Sequence, residues 1–331
     1  MSDIHIIAEA GTNHNGQLTK AQKLVDIAQA AQADSVKFQV IYPFGLYLPG
    51  DYEYGHYDIK EVIRIRTEGM LQDEEYEELA AYCKEKQISF TASVFDERGL
   101  DLLMKFNPPY IKIASCDLNN IRFLRQVAER GKKMVVSTGM SSLSDVEKSM
   151  NVLAIANHSD IVLLHCVSVY PAFLEQANLN FITTLKEEFG SEVGFSDHTG
   201  NSIAACMALV KGATWFEKHF TEDTSQAGFD HAYAMEETGL NEYVADLHNA
   251  QKALTEPTDK ITDKERYTRK RARRSLYAAR SMQPGEVITD DDVLIVRPEG
   301  IMDADQVDTL IGKKLTEPLA QYAPFSPETI S

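Results

Sequence analysis

Little in this chain suits an oxidising compartment, a membrane or a nucleic-acid backbone. Its four cysteines, at 83, 116, 166 and 206, are scattered, with no CxxC spacing and no framework of short loops. That excludes a disulfide scaffold, and we expect reduced thiols, mostly core filling, in a cytoplasmic protein. No apolar run approaches the ~20 residues that span a bilayer, and no early segment has the form of a signal peptide. Positive charge is scarce: 33 Lys and Arg against 50 Asp and Glu leave a formal net charge of -17. This counts against a general nucleic-acid binder and against docking on anionic lipid. A few positioned cations in a cleft still suffice for an anionic substrate. Missing too is a glycine-rich dinucleotide fingerprint after the first apolar run, which disfavours a doubly wound sheet.

What is present is a rhythm. Short apolar runs rich in β-branched residues fall at 4–9, 35–40, 88–93, 110–115, 133–138, 160–166, 192–196 and 214–218. Helical patterns separate them, at 18–32, 73–86, 119–130, 144–157, 178–189, 201–211 and 239–254. Eight strands alternating with helices over 1–254 predict a (β/α)8 TIM barrel. The stretch 255–274, TEPTDKITDKERYTRKRARR, breaks the rhythm with a proline, few apolar residues and a basic end. It reads as a solvated linker; a nucleic-acid patch is the rival reading of its basic run. Residues 275–331 form a tail too small to expect an independent core.

Barrel enzymes carry their chemistry at the C-terminal ends of the strands. Here those ends hold Glu9, Asn13 and His14; Lys37 and Gln39; Ser93 and Asp96; Lys112 and Ser115; Ser137 and Thr138; His165, Ser168 and Tyr170; Ser196, Asp197 and His198; and Glu217, Lys218 and His219, with Asp230 and His231 following. Each has a plain explanation alone: a strand lysine can snorkel to the rim, a histidine can sit hydrogen-bonded in a core, and SDHTG can cap the next helix. Jointly they say more. Lys37 and Lys112 occupy alternating positions that strand geometry turns into the barrel, where an ammonium group needs anions around it. With serines at the neighbouring strand ends, they point to a ligand bearing phosphate or carboxylate. His198 and His219 end adjacent predicted strands and together suit one divalent cation such as Mn, Fe, Co or Zn; no cysteine stands ready to complete a closed structural zinc site.

The ordered motifs IAEAGTNHNG, VKFQ, YIKIAS, STGM, LHCVSVYP, GFSDHTG, EKHFT and RPEGI closely resemble the sialic acid (N-acetylneuraminate) synthase family, which includes legionaminic and pseudaminic acid synthases, over nearly the whole chain. The resemblance implies a TIM barrel followed by a small antifreeze-like (SAF, β-clip) domain at 275–331. It implies condensation of phosphoenolpyruvate with a 2-acetamido hexose to a nonulosonic acid. The acceptor would be N-acetylmannosamine or a 6-deoxy diacetamido analogue. It further implies a domain-swapped homodimer and a divalent metal, Mn2+ first, with Mg2+ or Co2+ as alternatives. Position by position, phosphoenolpyruvate contacts fall on Lys37, Ser93, Lys112, Ser115, Ser137, Ser168 and Ser196, and the metal on His198 and His219. Acceptor contacts fall on Gln39, Tyr170, Asp230 and, from the tail, Arg297, while Glu9 and Glu217 are the carboxylates near the reacting carbons, either of them the base. Ser93 stands where many members have Thr, Ser168 where some have Asn, GFDH replaces GPDH, and RPEGI is shorter than the usual turn. A lysine-imine aldolase and a non-catalytic sugar-binding protein are the alternative readings.

Overall fold

Strands whose residues are buried on both faces must be covered on both, and closing the sheet on itself is one way to do it. The computed structural model describes residues 3–50, 52–54, 57–228, 230–254 and 260–331. Eight parallel strands close into a barrel: β1 His5–Gly11, β2 Ser35–Val40, β3 Ser89–Val94, β4 Tyr110–Ile113, β5 Lys133–Ser137, β6 Ile161–Cys166, β7 Glu192–Asp197 and β8 Trp215–His219. Each strand pairs with its sequence neighbours, and β8 returns to β1. Among the described residues no helix is long and apolar enough to cross a membrane.

The period of two along each strand sorts the side chains. One set, including Ile6, Val36, Phe38, Ile111, Ile113, Val136 and Phe216, joins the large apolar layer shared with the surrounding helices. The alternate set turns inward. Its lower members, Ile7, Tyr110, Val135, Val162 and Leu164, pack with Trp215 as a separate apolar cluster. At the same level His5 stacks on Trp215 with ring centroids 4.0 Å apart, and Ser35 Oγ lies 2.7 Å from the Tyr110 hydroxyl. The barrel floor is therefore closely packed. Two residues further along the same strands come Glu9, Lys112, Ser137, Cys166, Ser196 and Glu217, so the polar layer rests directly on the apolar one.

Among the longer helices of the barrel unit, Ile59–Glu68 and Glu97–Lys105 were not expected from the sequence. Glu97–Lys105 starts where the Asp96 carboxylate accepts the Gly99 amide, an N-cap that the glycine in the first turn masks as a loop signal. Ile59–Glu68 is rich in β-branched residues, poor helix formers in isolation, yet the Asp58 carboxylate caps it. The thiols are free; Cys83 and Cys166 are buried, Cys206 is half-buried and Cys116 is exposed.

The chain divides into two compact units, Met1–Thr255 and Glu256–Ser331. Of the stretch read as a linker, residues 255–259 lie outside the described residues, and Asp263–Ala272 forms a helix. Its Thr262 and Glu265 make a reciprocal capping box, and Arg269 pairs with Glu299 in the C-terminal unit. That unit carries an antiparallel pair, β9 Ser275–Ala278 and β10 Val293–Val296, over a small core of Leu276, Met282, Ile288, Leu310 and Phe325.

Gly194 shows how tightly the floor is filled. A Cβ there would stand 2.4 Å from the Trp215 carbonyl and 2.5 Å from Leu164 Cδ2, both held by the barrel. Gly194→Ala is expected to lower the unfolding free energy by about 1–3 kcal/mol through overpacking, read as a fall in the urea midpoint. An unchanged midpoint would show that the floor yields.

Candidate active site

Register and parity bring the inward polar residues to one level of the barrel. Glu9 pairs in register with Lys37 on one side and His219 on the other, Ser93 with Lys112, and Ser196 with Glu217. Glu9, Lys37, Lys112 and Glu217 are each under 5% exposed. Lys37 Nζ is 2.5 Å from Glu9 Oε2 and 3.5 Å from Glu217 Oε2, and it donates to Ser93 Oγ at 2.8 Å. Lys112 Nζ lies 3.6 Å from Glu217 Oε2 and donates to Ser137 Oγ at 2.8 Å. Ser196 donates to Glu217, and Gln39 to Glu9, each at 2.8 Å. Two cations and two anions are thus buried as one network.

The two carboxylates are not equivalent. Burial pushes Glu9 up to about 7, because the pull of Lys37 is partly cancelled by the neighbouring Glu217. Burial also acts on Glu217, but Lys112 and Lys37 together, with the Ser196 bond, outweigh it and hold this carboxyl down at about 2. Lys37, facing both glutamates, is raised despite its burial; for Lys112 burial dominates and lowers it. Glu9 is therefore the member of the cluster that exchanges a proton near neutrality.

Above the network a cavity of 240 Å3 is lined by thirteen of the fifteen expected site residues: Glu9, Lys37, Gln39, Ser93, Lys112, Ser115, Ser137, Ser168, Tyr170, Ser196, His198, Glu217 and His219. A wider cavity of 630 Å3 shares Gln39, Tyr170 and His219 with it and adds Asp230, Tyr233, Tyr47, Ile59, Val62 and Arg66. Gly11 sits at the junction, with φ +55°; a Cβ there would be 2.8 Å from Asp230 Oδ2 and 3.6 Å from Glu9 Oε1. Arg297 belongs to the C-terminal unit, exposed just past β10. Phe229 of the GFDH motif lies outside the described residues.

The imidazoles of His198 and His219 have centroids 5.5 Å apart. His198 Nδ1 donates to the Val167 carbonyl at 2.7 Å, which orients the ring and makes Nε2 the nitrogen available to a ligand. His219 Nδ1 is buried without a hydrogen-bond partner, and burial pushes this imidazole down to about 3, so it is neutral. Among the described residues no group of three or more His, Cys, Asp or Glu gathers as a metal cage. Two imidazoles with no third His, Cys, Asp or Glu gathered beside them among the described residues suit a divalent cation whose remaining positions are open to water or substrate, and do not fit a closed structural site.

Several polar residues at the strand ends have other duties. His165 turns outward, its Nε2 2.7 Å from the Ala177 carbonyl, and stacks on Phe195. Lys218 faces Asp197 behind the barrel and donates to the Thr199 carbonyl. Asn13 donates to the Phe220 carbonyl, and His14 Nδ1 accepts the Gly16 amide. Conversely, Cys166, read as core filling, lines the inner cavity; its even spacing from Val162 and Leu164 was the available signal. Gly139, whose amide donates to Ser115 Oγ and whose Cβ would strike Ser168 Oγ at 2.3 Å, was missed as well. The 59–66 wall had no sequence signal beyond an i, i+3, i+7 spacing.

The NeuB family model matches residues 24–259, and the SAF domain model matches residues 273–330. The chain is 33% identical to the N,N'-diacetyllegionaminic acid synthase of Campylobacter jejuni, over 94% of this chain and 96% of that protein. It is 30% identical to the N-acetylneuraminate-9-phosphate synthase of Drosophila melanogaster, over 98% and 95% respectively. Among solved structures it is similar to the N-acetylneuraminic acid (sialic acid) synthetase of Leptospira borgpetersenii, with a TM-score of 0.73, 30% identity, and coverage of 81% of this chain and 90% of that one.

The buried network makes a stability prediction. Lys37→Met leaves Glu9 and Glu217 facing each other and is expected to cost about 3–5 kcal/mol. Without Lys37 the carboxyl of Glu9 rises further above its unfolded value, and such a group loses stability as pH rises, so the deficit should be larger at pH 8 than at pH 6. Adding Glu9→Gln should recover part of it in urea titrations. Strictly additive losses would show that the charges are not coupled.

Proposed function

The chain belongs to the NeuB family, and from that premise we propose that it condenses phosphoenolpyruvate with an open-chain 2-acetamido hexose and water, giving a nonulosonic acid and inorganic phosphate. The observation that carries this reading is the inner cavity, where two buried ammonium groups and a ring of serine hydroxyls stand opposite two imidazoles, with two carboxylates of split acidity between them. Lys37 and Lys112, with Ser93, Ser115, Ser137 and Ser168, suit the phosphate and carboxylate of phosphoenolpyruvate through charge-assisted hydrogen bonds. Glu217, fastened by Ser196 and both lysines, stays anionic and keeps the lysines charged. Gln39, Tyr170 and Asp230 orient the acceptor. A divalent cation held by His198 and His219, Mn2+ first with Mg2+ or Co2+ as alternatives, supplies Lewis-acid polarisation of the aldehyde when bound.

In the reaction, C3 of phosphoenolpyruvate forms a bond to C1 of the sugar, and the aldehyde oxygen becomes a hydroxyl. Water adds to C2, and the C2–O bond to phosphate then breaks, its electron pair leaving with the phosphate. The water oxygen ends as the ketone, and its two protons end on the new hydroxyl and on the released phosphate. Glu9, at the junction of the two cavities and titrating near 7, is the base that takes the proton from water. The phosphate leaves against Lys37, Lys112 and the serine hydroxyls, which stabilise the charge it carries away. We place Arg297 on the acceptor from a partner copy in a domain-swapped homodimer, and the protein in the cytoplasm, in keeping with its free thiols.

The lowered pKa of Lys112 is the one feature that favours a lysine imine. Against it, Lys112 is hydrogen-bonded to Ser137 and lies beside Glu217, as a charged group would. With Mn2+, phosphoenolpyruvate and a 2-acetamido hexose, the protein is expected to release phosphate and form a product of the nine-carbon mass. Borohydride should leave no pyruvyl adduct on lysine. No phosphate release with any acceptor would overturn the condensation, and an adduct would establish the imine.

Because Glu9 must be ionised to accept a proton, kcat/KM should fall with unit slope below pH about 7. Glu9→Gln should fold, bind phosphoenolpyruvate and lose about 100- to 10,000-fold in kcat. A Gln variant that keeps both its rate and the acid limb would make this carboxylate structural.

A further inference from the structure

Resting on the metal part of that reading, we propose that Lys218 and Asp197 are positioning residues. Their ion pair, on the outer face of the barrel wall, fixes the spacing at which His198 and His219 receive a divalent cation. Asp197 ends β7, Lys218 is the last but one residue of β8, and the two are register partners. Each immediately precedes one of the histidines. Lys218 Nζ lies 3.7 Å from Asp197 Oδ2 and 5.4 Å from the centre of the Tyr243 ring, on the helix Glu237–Ala253. Lys218, Asp197 and Tyr243 are each 1% exposed.

The pair also closes the turn that carries His198. The Thr199 amide donates to Asp197 Oδ1 at 2.7 Å, and Lys218 donates to the Thr199 carbonyl. His198 is thus the middle residue of three, held from its own strand and from the next. Neighbouring strand residues face opposite sides of a sheet, so a shift of Lys218 behind the wall is carried to His219 in front of it. An ammonium and a carboxylate are costly between barrel and helices, where an apolar pair would cover the same surface without desolvating two charges. What the charged pair adds is a fixed direction, and it acts on the two strand ends that bear the imidazoles. The charges of the interior do not depend on it, since Lys37, Lys112, Glu9 and Glu217 pair among themselves and with serines. Loss of the pair should therefore weaken metal binding and spare phosphoenolpyruvate binding.

The test is calorimetric titration of the metal-free full chain with Mn2+ and, separately, with phosphoenolpyruvate, beside urea unfolding without metal. Lys218→Met should weaken Mn2+ binding about 10- to 100-fold, lower the urea midpoint and leave phosphoenolpyruvate affinity unchanged. Adding Asp197→Asn removes the uncompensated charge and keeps an oxygen for the Thr199 amide. This double variant should recover most of the lost midpoint while Mn2+ binding stays weak, a split that a merely structural pair does not give. In phosphate-release assays it should need correspondingly more Mn2+ for half-maximal rate and approach the wild-type kcat when saturated. Wild-type Mn2+ affinity in the double variant, or recovery of affinity in step with stability, overturns the proposal and leaves the metal reading intact. A wild-type chain that binds no Mn2+ removes the metal reading and the proposal together. Asp197→Asn alone should show the same loss of Mn2+ affinity, and it decides the matter if the methionine variants fail to fold.

Discussion

Two lysines and two glutamates closed inside one barrel must neutralise one another, and the rest of the site is arranged around that requirement. A single buried ion of either sign costs several kcal/mol. Opposite charges about 4 Å apart return about 4 kcal/mol at an effective dielectric constant of 20. No member of the network is therefore tolerable alone, and each becomes tolerable when all four are present. The lysines keep their charge without a ligand, because Glu217 lies within 3.6 Å of both. An anionic substrate then meets ammonium groups already held in place, so little ordering remains to be done on binding.

The same network explains why one carboxylate is left adjustable. Two cations shared between two anions need not be shared equally, and geometry gives Glu217 both lysines and a serine while Glu9 has one lysine and an amide. The better-served carboxylate becomes a fixed counter-ion, and the other is free to trade its proton. Glu9 also stands beside Gly11, where the missing Cβ opens the inner cavity toward Asp230.

Much of this was legible in the sequence because a strand imposes a period of two. Lysines within apolar runs had to point inward or be expelled, and the serines at neighbouring strand ends had to share their level. The eight strands fell within a residue or two of the runs that predicted them. Parity also explains the misreading of the sixth strand. LLHC invites attention to its histidine, but Val162 and Leu164 face the interior, so the inward residue is Cys166 and His165 faces the helices. The helices at 59–68 and 97–105 were hidden for a different reason. Their stability comes from caps and from the surface they cover, and neither β-branched residues nor a glycine in the first turn advertises a helix.

The segment between β2 and the helix Asp73–Glu85 lies under different constraints from the strands. Every inward strand residue answers to charge balance and to close packing, so the barrel interior admits few changes. The helix Ile59–Glu68 has Val62 as its buried residue, and its other side chains are exposed or half-buried. Substitution there costs little stability, yet Ile59, Val62 and Arg66 of this helix line the wider cavity. The inner network and the wall of the wider cavity are therefore under separate constraints. The strands, where alteration is costly, hold the buried charges. The segment between β2 and β3, where alteration is cheap, can reshape the wider cavity without disturbing that network.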